Sequence, residues 1–356
     1  MSDSAHPRAA NDLVGHEDAE RRFLDAWNSG RLAHAWLLCG PRGIGKATLA
    51  YRIARFVLSG GGDGGLFGAP DSLAVVPEHP VFRRVASGGH ADLKVVERSW
   101  TDDKPPRLRS EIVVDDVREI GRFLSHTPAE GGWRVVIIDA ADEMNRNSAN
   151  AVLKVLEEPP QRALLLLVSH SPGRLLPTIR SRCRRLTLRP LAEEQLLTLL
   201  LDRSELSEAD ARALARLAEG SIGKALALAG EGGLALFKEI IDLLARWPRL
   251  DVAAVHAFSD RVARGGSGEA FRTVTDLFVW WLARMVRVGG RGEGLAEVVP
   301  GEAAVMERLL GASKLDQWLE VWEKTSHLFA RAEAVNLDRK QVVLNAFLTV
   351  ERQGRP

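Results

Sequence analysis

Up to about residue 190, short apolar runs alternate with amphipathic stretches; beyond it the short runs stop. The run at 34–40 (HAWLLCG) is short, apolar and closed by glycine, which predicts a buried strand, and the stretch at 45–58 that follows has helical spacing. Residues 91–98 (ADLKVVER) and 133–140 (WRVVIIDA) predict two more strands, the second apolar on both faces as in the interior of a parallel sheet. Residues 148–160 form a helix stopped by Pro159 and Pro160, and strands follow at 163–170 (ALLLLVSH) and 184–191 (RRLTLRPL). This alternation predicts an α/β domain, a parallel sheet with helices on both faces.

The stretch at 59–70 (SGGGDGGLFGAP) is too rich in glycine to lie inside an element and reads as a flexible insertion. From 191 to 230 the pattern is that of a small helical bundle broken at Gly220, and longer helices run from about 233 onward. In one of these, Leu315, Trp318, Leu319 and Trp322 follow i, i+3, i+4, i+7 spacing, which predicts a packed face. Five of the nine tryptophans fall in this last third, where core packing is the expected use and helix surfaces with spare aromatics suit subunit contacts.

Composition narrows the class. A chain of 356 residues is long enough for two or three domains. The 48 basic and 47 acidic residues nearly cancel, so bulk charge gives no hold on nucleic acid, although a local basic patch remains compatible with it. No apolar run approaches the roughly 18 residues of a membrane helix, and the polar opening MSDSAHPRAAND does not read as a signal peptide. Two cysteines, Cys39 and Cys183, supply neither a disulfide framework nor a four-cysteine zinc site. The expected location is therefore the cytoplasm.

The chemistry begins at 40–50, GPRGIGKATLA. Gly40, Gly43, Gly45 and Lys46 supply the Gly-x4-Gly-Lys of a phosphate-binding P-loop, and its place between a predicted strand and helix lends it weight. The next position, where a Ser or Thr hydroxyl would help hold Mg²⁺, is Ala47. Thr48 comes one residue late, rotated by about 100° around the helix. On the strand VVIIDAADEMN, Asp139 stands where an acidic metal ligand belongs, but Ala140 takes the place of the water-activating carboxylate. Asp142 and Glu143 are out of register and read as a cap and first-turn charge for the helix that follows. Phosphate binding is compatible with these residues, whereas metal-dependent hydrolysis is not expected. The stretch 175–190 carries Arg180, Arg182, Arg184, Arg185 and Arg189. It is either a solvated connector or the source of an arginine finger reaching a neighbour's phosphoryl group.

GHEDAERRFLDAWNSGRLAHAWLLCGPRGIGKATLA, VVIIDAADEMNRNSANAVLKVLEEPP and LLPTIRSRC together resemble the clamp-loader AAA+ proteins, and within them the delta-prime subunits of bacterial DNA polymerase III. The resemblance covers the first 190 residues and continues through GSIGKAL (220–226) and AVNLDRKQVVLNAFL (334–348). It implies a P-loop AAA+ domain at 1–188, a helical lid domain at 189–232 and an all-α collar domain at 233–356. It places Arg182, in Ser-Arg-Cys, at the arginine-finger position, acting on ATP held by an adjacent subunit. It places Gly223 where a motor subunit has its second-sensor arginine, with Lys224 beside it, and puts Ser169 and His170 in the first-sensor region. His170 also reads as an ordinary strand-end residue. Relatives with a four-cysteine zinc module carry it after the P-loop helix; residues 59–100 contain no cysteine, and His79 with His90 cannot replace it, so no zinc is expected.

The implied protein is a stator in a heteropentameric ring with gamma/tau and delta subunits, which loads a sliding clamp onto primer-template DNA. Gly40, Gly43, Gly45, Lys46, Thr48 and Asp139 would form its degenerate nucleotide site, with ATP or ADP binding without efficient hydrolysis left open. Two alternatives stay open at this point: an ATP-hydrolysing gamma/tau-like motor, and another AAA+ regulatory protein.

Overall fold

The computed structural model describes residues 6–61, 68–104, 106–130, 132–264, 268–291, 296–335 and 337–353; residues 62–67 of the glycine-rich stretch at 59–70 lie outside them. The chain divides into two compact units, Met1–Leu191 and Ala192–Pro356.

The first unit carries five strands: β1 (Ala35–Cys39), β2 (Leu93–Val96), β3 (Arg134–Asp139), β4 (Ala163–Ser169) and β5 (Arg184–Thr187). They form one parallel sheet in the order β2-β3-β4-β1-β5. Its helices are α1 (Glu17–Asn28), α2 (Lys46–Leu58), α3 (Pro80–Ala86), α4 (Val114–Ser125), α5 (Arg146–Glu157) and α6 (Pro177–Arg182). Strands β1, β3 and β4 alternate their side chains between two cores, and β5 adds Leu186 to the first. Trp36, Leu38, Val135, Ile137, Leu164 and Leu166 face α1, α2 and α3. Ala35, Leu37, Cys39, Val136, Ile138, Leu165 and Leu167 face α4, α5 and α6. Leu164 to Leu167 of β4 are all 0 % exposed, and each such burial stabilises by about 1.5–3 kcal/mol. The fold class read from the sequence is thus observed, a parallel P-loop sheet followed by helices.

Register brings the site together. Cys39 pairs with Ser169, and Asp139 with Val168 one residue earlier. The carboxyl ends of β1, β3 and β4 therefore open onto one crevice, the edge where ligands bind in parallel sheets.

The second unit contains α7 (Glu193–Arg203), α8 (Glu208–Ala218), α9 (Ile222–Gly230), α10 (Gly233–Leu244), α11 (Val252–Arg264), α12 (Glu269–Arg291), α13 (Glu302–Ala312), α14 (Leu315–Val335) and α15 (Arg339–Gln353). Gly220, at φ 82°, makes the turn between α8 and α9, where Ser221 caps the new helix. The boundary expected near 232 falls inside this unit, and α9 packs directly on α10. Edge-on aromatics build the core, with Phe278 against Phe347 at 5.1 Å and Phe258 against Phe347 at 5.9 Å.

Two sequence expectations need correction here. On α14, Trp318 is fully buried and Trp322 half-buried, but Leu315 and Leu319 are exposed. The buried line runs instead through Trp318, Val321, Thr325, Phe329 and Ala332. The C-terminal helix expected over 334–348 is two elements, because α14 ends at Val335 and α15 starts at Arg339. Asp338 accepts the backbone N–H of Gln341 at 2.8 Å and so caps α15.

Candidate functional site

The loop after β1 turns tightly through Gly40, Gly43 and Gly45. A side chain at Gly40 would meet the Leu188 carbonyl oxygen at 2.6 Å, a backbone atom that cannot swing away. Gly45 caps α2 at φ 105°, a conformation that favours glycine. Behind the loop, the buried His16 donates from Nε2 to the Ile44 carbonyl at 2.6 Å. Lys46 opens α2 and is 3 % exposed. Its ammonium donates to the carbonyl of Gly40 at 2.7 Å and to that of Pro41, both in its own loop. Burial drives its pKa down to about 8, against the opposing pull of Asp139 and Asp142. Ala47 and Thr48 follow on α2, both half-buried.

Asp139 ends β3 at the crevice and is half-buried. Burial, with Glu97 adding to it, pushes its carboxyl up to about 6, while Lys46 pulls the other way. Ala140 follows and is itself buried. Asp142 and Glu143 lie in a short 3-10 turn, Ala141–Glu143, and neither caps α5. Asn145 performs that task by accepting the Ser148 N–H at 3.0 Å, a correction to the sequence reading. Asp142 accepts the His170 N–H at 2.8 Å and ties the turn to the end of β4. Glu143 pairs with Arg42 at 2.5 Å and Arg98 at 2.9 Å. These residues, with Glu97, Leu108, Asp139, Ala140 and His170, line a cavity of about 200 Å³.

Ser169 is fully buried, and its Oγ has no hydrogen-bond partner among the described residues; the same holds for His170 Nδ1. Burial, helped by Lys46, lowers the His170 pKa to about 4, so the ring is neutral at pH 7. A buried polar atom without a partner is costly, and two of them at the strand ends beside the loop suit a polar ligand there. The residues therefore fit a phosphate-bearing group: loop amides, the N-terminus of α2, Lys46 and these two orphan atoms. They do not fit metal-assisted hydrolysis, since Ala47 lacks a hydroxyl, Ala140 lacks a carboxylate, and Asp142 and Glu143 are engaged elsewhere.

Gly223 is exposed on α9, and Lys224 lies over the Trp280 ring at 5.7 Å, within its own unit. Burial lowers the pKa of Lys224.

The basic run separates into distinct environments. Arg184 stacks over Trp36 at 5.0 Å, while Arg180 and Arg185 line a cavity of about 420 Å³ with Leu37, Pro172 and Gly173. Arg182 ends α6 on the surface, pairing with Glu157 at 2.9 Å and donating to the Thr178 carbonyl at 3.1 Å. Cys183 packs against the core beneath it, where burial pushes its thiol up to about 12. Of the predicted site residues, Gly40, Gly43, Gly45, Lys46, Thr48 and Asp139 belong to the loop, helix and strand end of one crevice, and Arg182 lies outside that group on α6. Sequence reasoning missed Arg42, Glu97, Arg98 and Glu157. The position of Glu97 and Arg98 at the end of a predicted strand was the available signal for two of them.

Residues 15–192 match the family model described as DNA polymerase III, delta subunit. The DNA polymerase III subunit delta' of Pseudomonas aeruginosa is 42% identical over 151 residues, 42% of this chain and 42% of that protein. The subunit delta' of Escherichia coli is 31% identical over 207 residues, 58% of each chain. The tau subunit of Escherichia coli is 31% identical over 228 residues, 62% of this chain and 32% of its own length. The chain thus spans less than two thirds of the length of each of these relatives. Among solved structures, a DNA polymerase III gamma subunit-related protein from Thermotoga maritima aligns over 94% of this chain and 100% of its own, with 18% identity and a TM-score of 0.43.

Proposed function

The chain belongs to the DNA polymerase III, delta subunit family, and from that premise we propose that it is the delta-prime-type stator of a clamp loader. In this reading it is a cytoplasmic protein that joins gamma/tau and delta subunits in a heteropentameric ring. The ring uses ATP to place a sliding clamp on primer-template DNA. The first unit is the AAA+ domain; α7 to α9 form the lid, and the helices from 233 onward the collar. Arg182 is the finger that completes the ATP site of the adjacent subunit.

The observation that carries the reading is the division of labour between two places. At the chain's own P-loop, the hydroxyl, the water-activating carboxylate and the second-sensor arginine are replaced by Ala47, Ala140 and Gly223. On α6, by contrast, a guanidinium stands at the surface within the Ser-Arg-Cys tripeptide. Such a group stabilises charge on a transferring phosphoryl and accelerates hydrolysis by orders of magnitude in other phosphoryl-transfer enzymes. ATP or ADP in the chain's own site would be held by Gly40, Gly43, Gly45 and Lys46, with Asp139 nearby and Thr48 off register. When bound it would supply phosphates that this chain grips and does not cleave.

A hydrolysing motor is the second reading, favoured by the longer aligned stretch with tau, 228 residues against 151 with the Pseudomonas delta' subunit. The purified chain separates the two. A stator shows no Mg²⁺-dependent ATPase activity above that of its Lys46→Ala variant and co-elutes with gamma/tau and delta subunits. Robust activity of the isolated chain, lost in Lys46→Ala, would establish the motor.

A further inference from the structure

We infer that Glu157 is a positioning residue for the Arg182 finger. This inference rests on the stator reading. Glu157 lies in the last turn of α5, and Arg182 ends α6; the two helices pack against each other. Of the five arginines between 180 and 189, Arg182 is the one paired with a carboxylate among the described residues. Its two contacts fall on different nitrogens: Nη2 meets Glu157 Oε1 at 2.9 Å, and Nη1 donates to the Thr178 carbonyl at 3.1 Å. One contact would leave the guanidinium free to turn. The hydrogen bond to Thr178 and the ion pair with Glu157 together bias the orientation of the guanidinium and leave the remaining N–H groups of the fork for an incoming phosphate.

Glu157 is placed where helix electrostatics disfavour it. A carboxylate in the last turn meets the negative end of the helix dipole, and its one partner among the described residues is Arg182. Its contact with the finger offsets that penalty. The Pro159–Pro160 stop fixes where α5 ends, and with it the height at which the carboxylate meets α6. Both side chains are partly exposed, at 36% for Arg182 and 50% for Glu157. The pair therefore biases the finger's pose modestly and does not lock it; a surface pair shifts such an equilibrium by up to about fivefold.

The test measures kcat and KM for clamp- and DNA-stimulated ATP hydrolysis by the reconstituted ring. It compares wild-type chain with Arg182→Ala, Glu157→Ala, Glu157→Gln, Glu157→Asp and the double variant Glu157→Ala/Arg182→Ala. Glu157→Ala is expected to lower kcat by about two- to fivefold with KM unchanged. Glu157→Gln, which keeps an acceptor oxygen of the same reach, recovers part of that loss and serves if Glu157→Ala folds poorly. In the Arg182→Ala background, Glu157→Ala is expected to change nothing further. Unchanged or faster turnover in Glu157→Ala overturns the inference, as does a full additional loss in the double variant. If Arg182→Ala slows hydrolysis and Glu157→Ala does not, only the positioning role falls. If Arg182→Ala has no effect, the stator reading falls first.

Discussion

Lys46 shows how a single residue reports on the state of its site. Its ammonium is buried and satisfied by its own loop carbonyls, and its pKa falls to about 8 from 10.5. Between those two values the unfolded chain keeps a proton that the folded chain has released. Stability therefore rises with pH through that window, by up to about 3 kcal/mol. Denaturant titrations from pH 7 to 10.5 should show this rise in wild type and a flatter profile in Lys46→Met. A rise of the same size in Lys46→Met would mean that other groups dominate the window. The P-loop glycines, Lys46 and Asp139 were legible in the sequence because each belongs to a spaced motif beside a predicted element. The ion pair from Arg182 to Glu157 was not, since no periodic pattern links a helix end to a residue 25 positions away. The same limit hid Asp142, whose carboxylate holds the His170 amide across the crevice and caps nothing on α5.

Among the elements, β1, β3 and β4 were readable closely because each is a short apolar run between polar or glycine boundaries, whereas β2 (LKVV) and β5 (RRLT) carry charged residues and were drawn too long. Helices α1, α3, α4 and α6 were not assigned from the sequence. Helix α4 carries Val117, Ile120 and Leu124 at helical spacing, a signal the sequence reading passed over, and α3 and α6 have only seven and six residues. On α14 the apolar template chose Leu315 and Leu319 and overlooked Thr325, which is buried on the inward line. A hydroxyl on a packed face is invisible to a rule that counts apolar residues. Helix α5 is the element most exposed to a direct test, because it carries Glu157 at one end and is fixed at the other by Asn145. Asn145 accepts the N–H of Ser148 at 3.0 Å, while the Ser148 hydroxyl donates to the Ile112 carbonyl at 2.7 Å. Asn145→Ala should destabilise the chain by about 1–2 kcal/mol in urea or thermal melts. A change below a few tenths of a kcal/mol would show that the cap contributes nothing. Leu166→Ala, in the all-buried centre of β4, should cost more, about 2–5 kcal/mol.

For the whole molecule, two features argue together. The first unit is a parallel P-loop sheet whose crevice keeps phosphate-binding geometry without the groups for hydrolysis. The second is built only of helices among the described residues, and its Lys224, beside the proposed second-sensor position, is turned onto Trp280. We propose that a chain so arranged acts on a nucleotide bound elsewhere, through Arg182 at its surface. That claim is tested most directly by the steady-state ATPase rate of the reconstituted clamp loader with clamp and primed DNA, comparing wild-type chain, Lys46→Ala and Arg182→Ala. The account predicts that Lys46→Ala leaves the rate nearly unchanged while Arg182→Ala lowers it several-fold; the opposite ranking would contradict it.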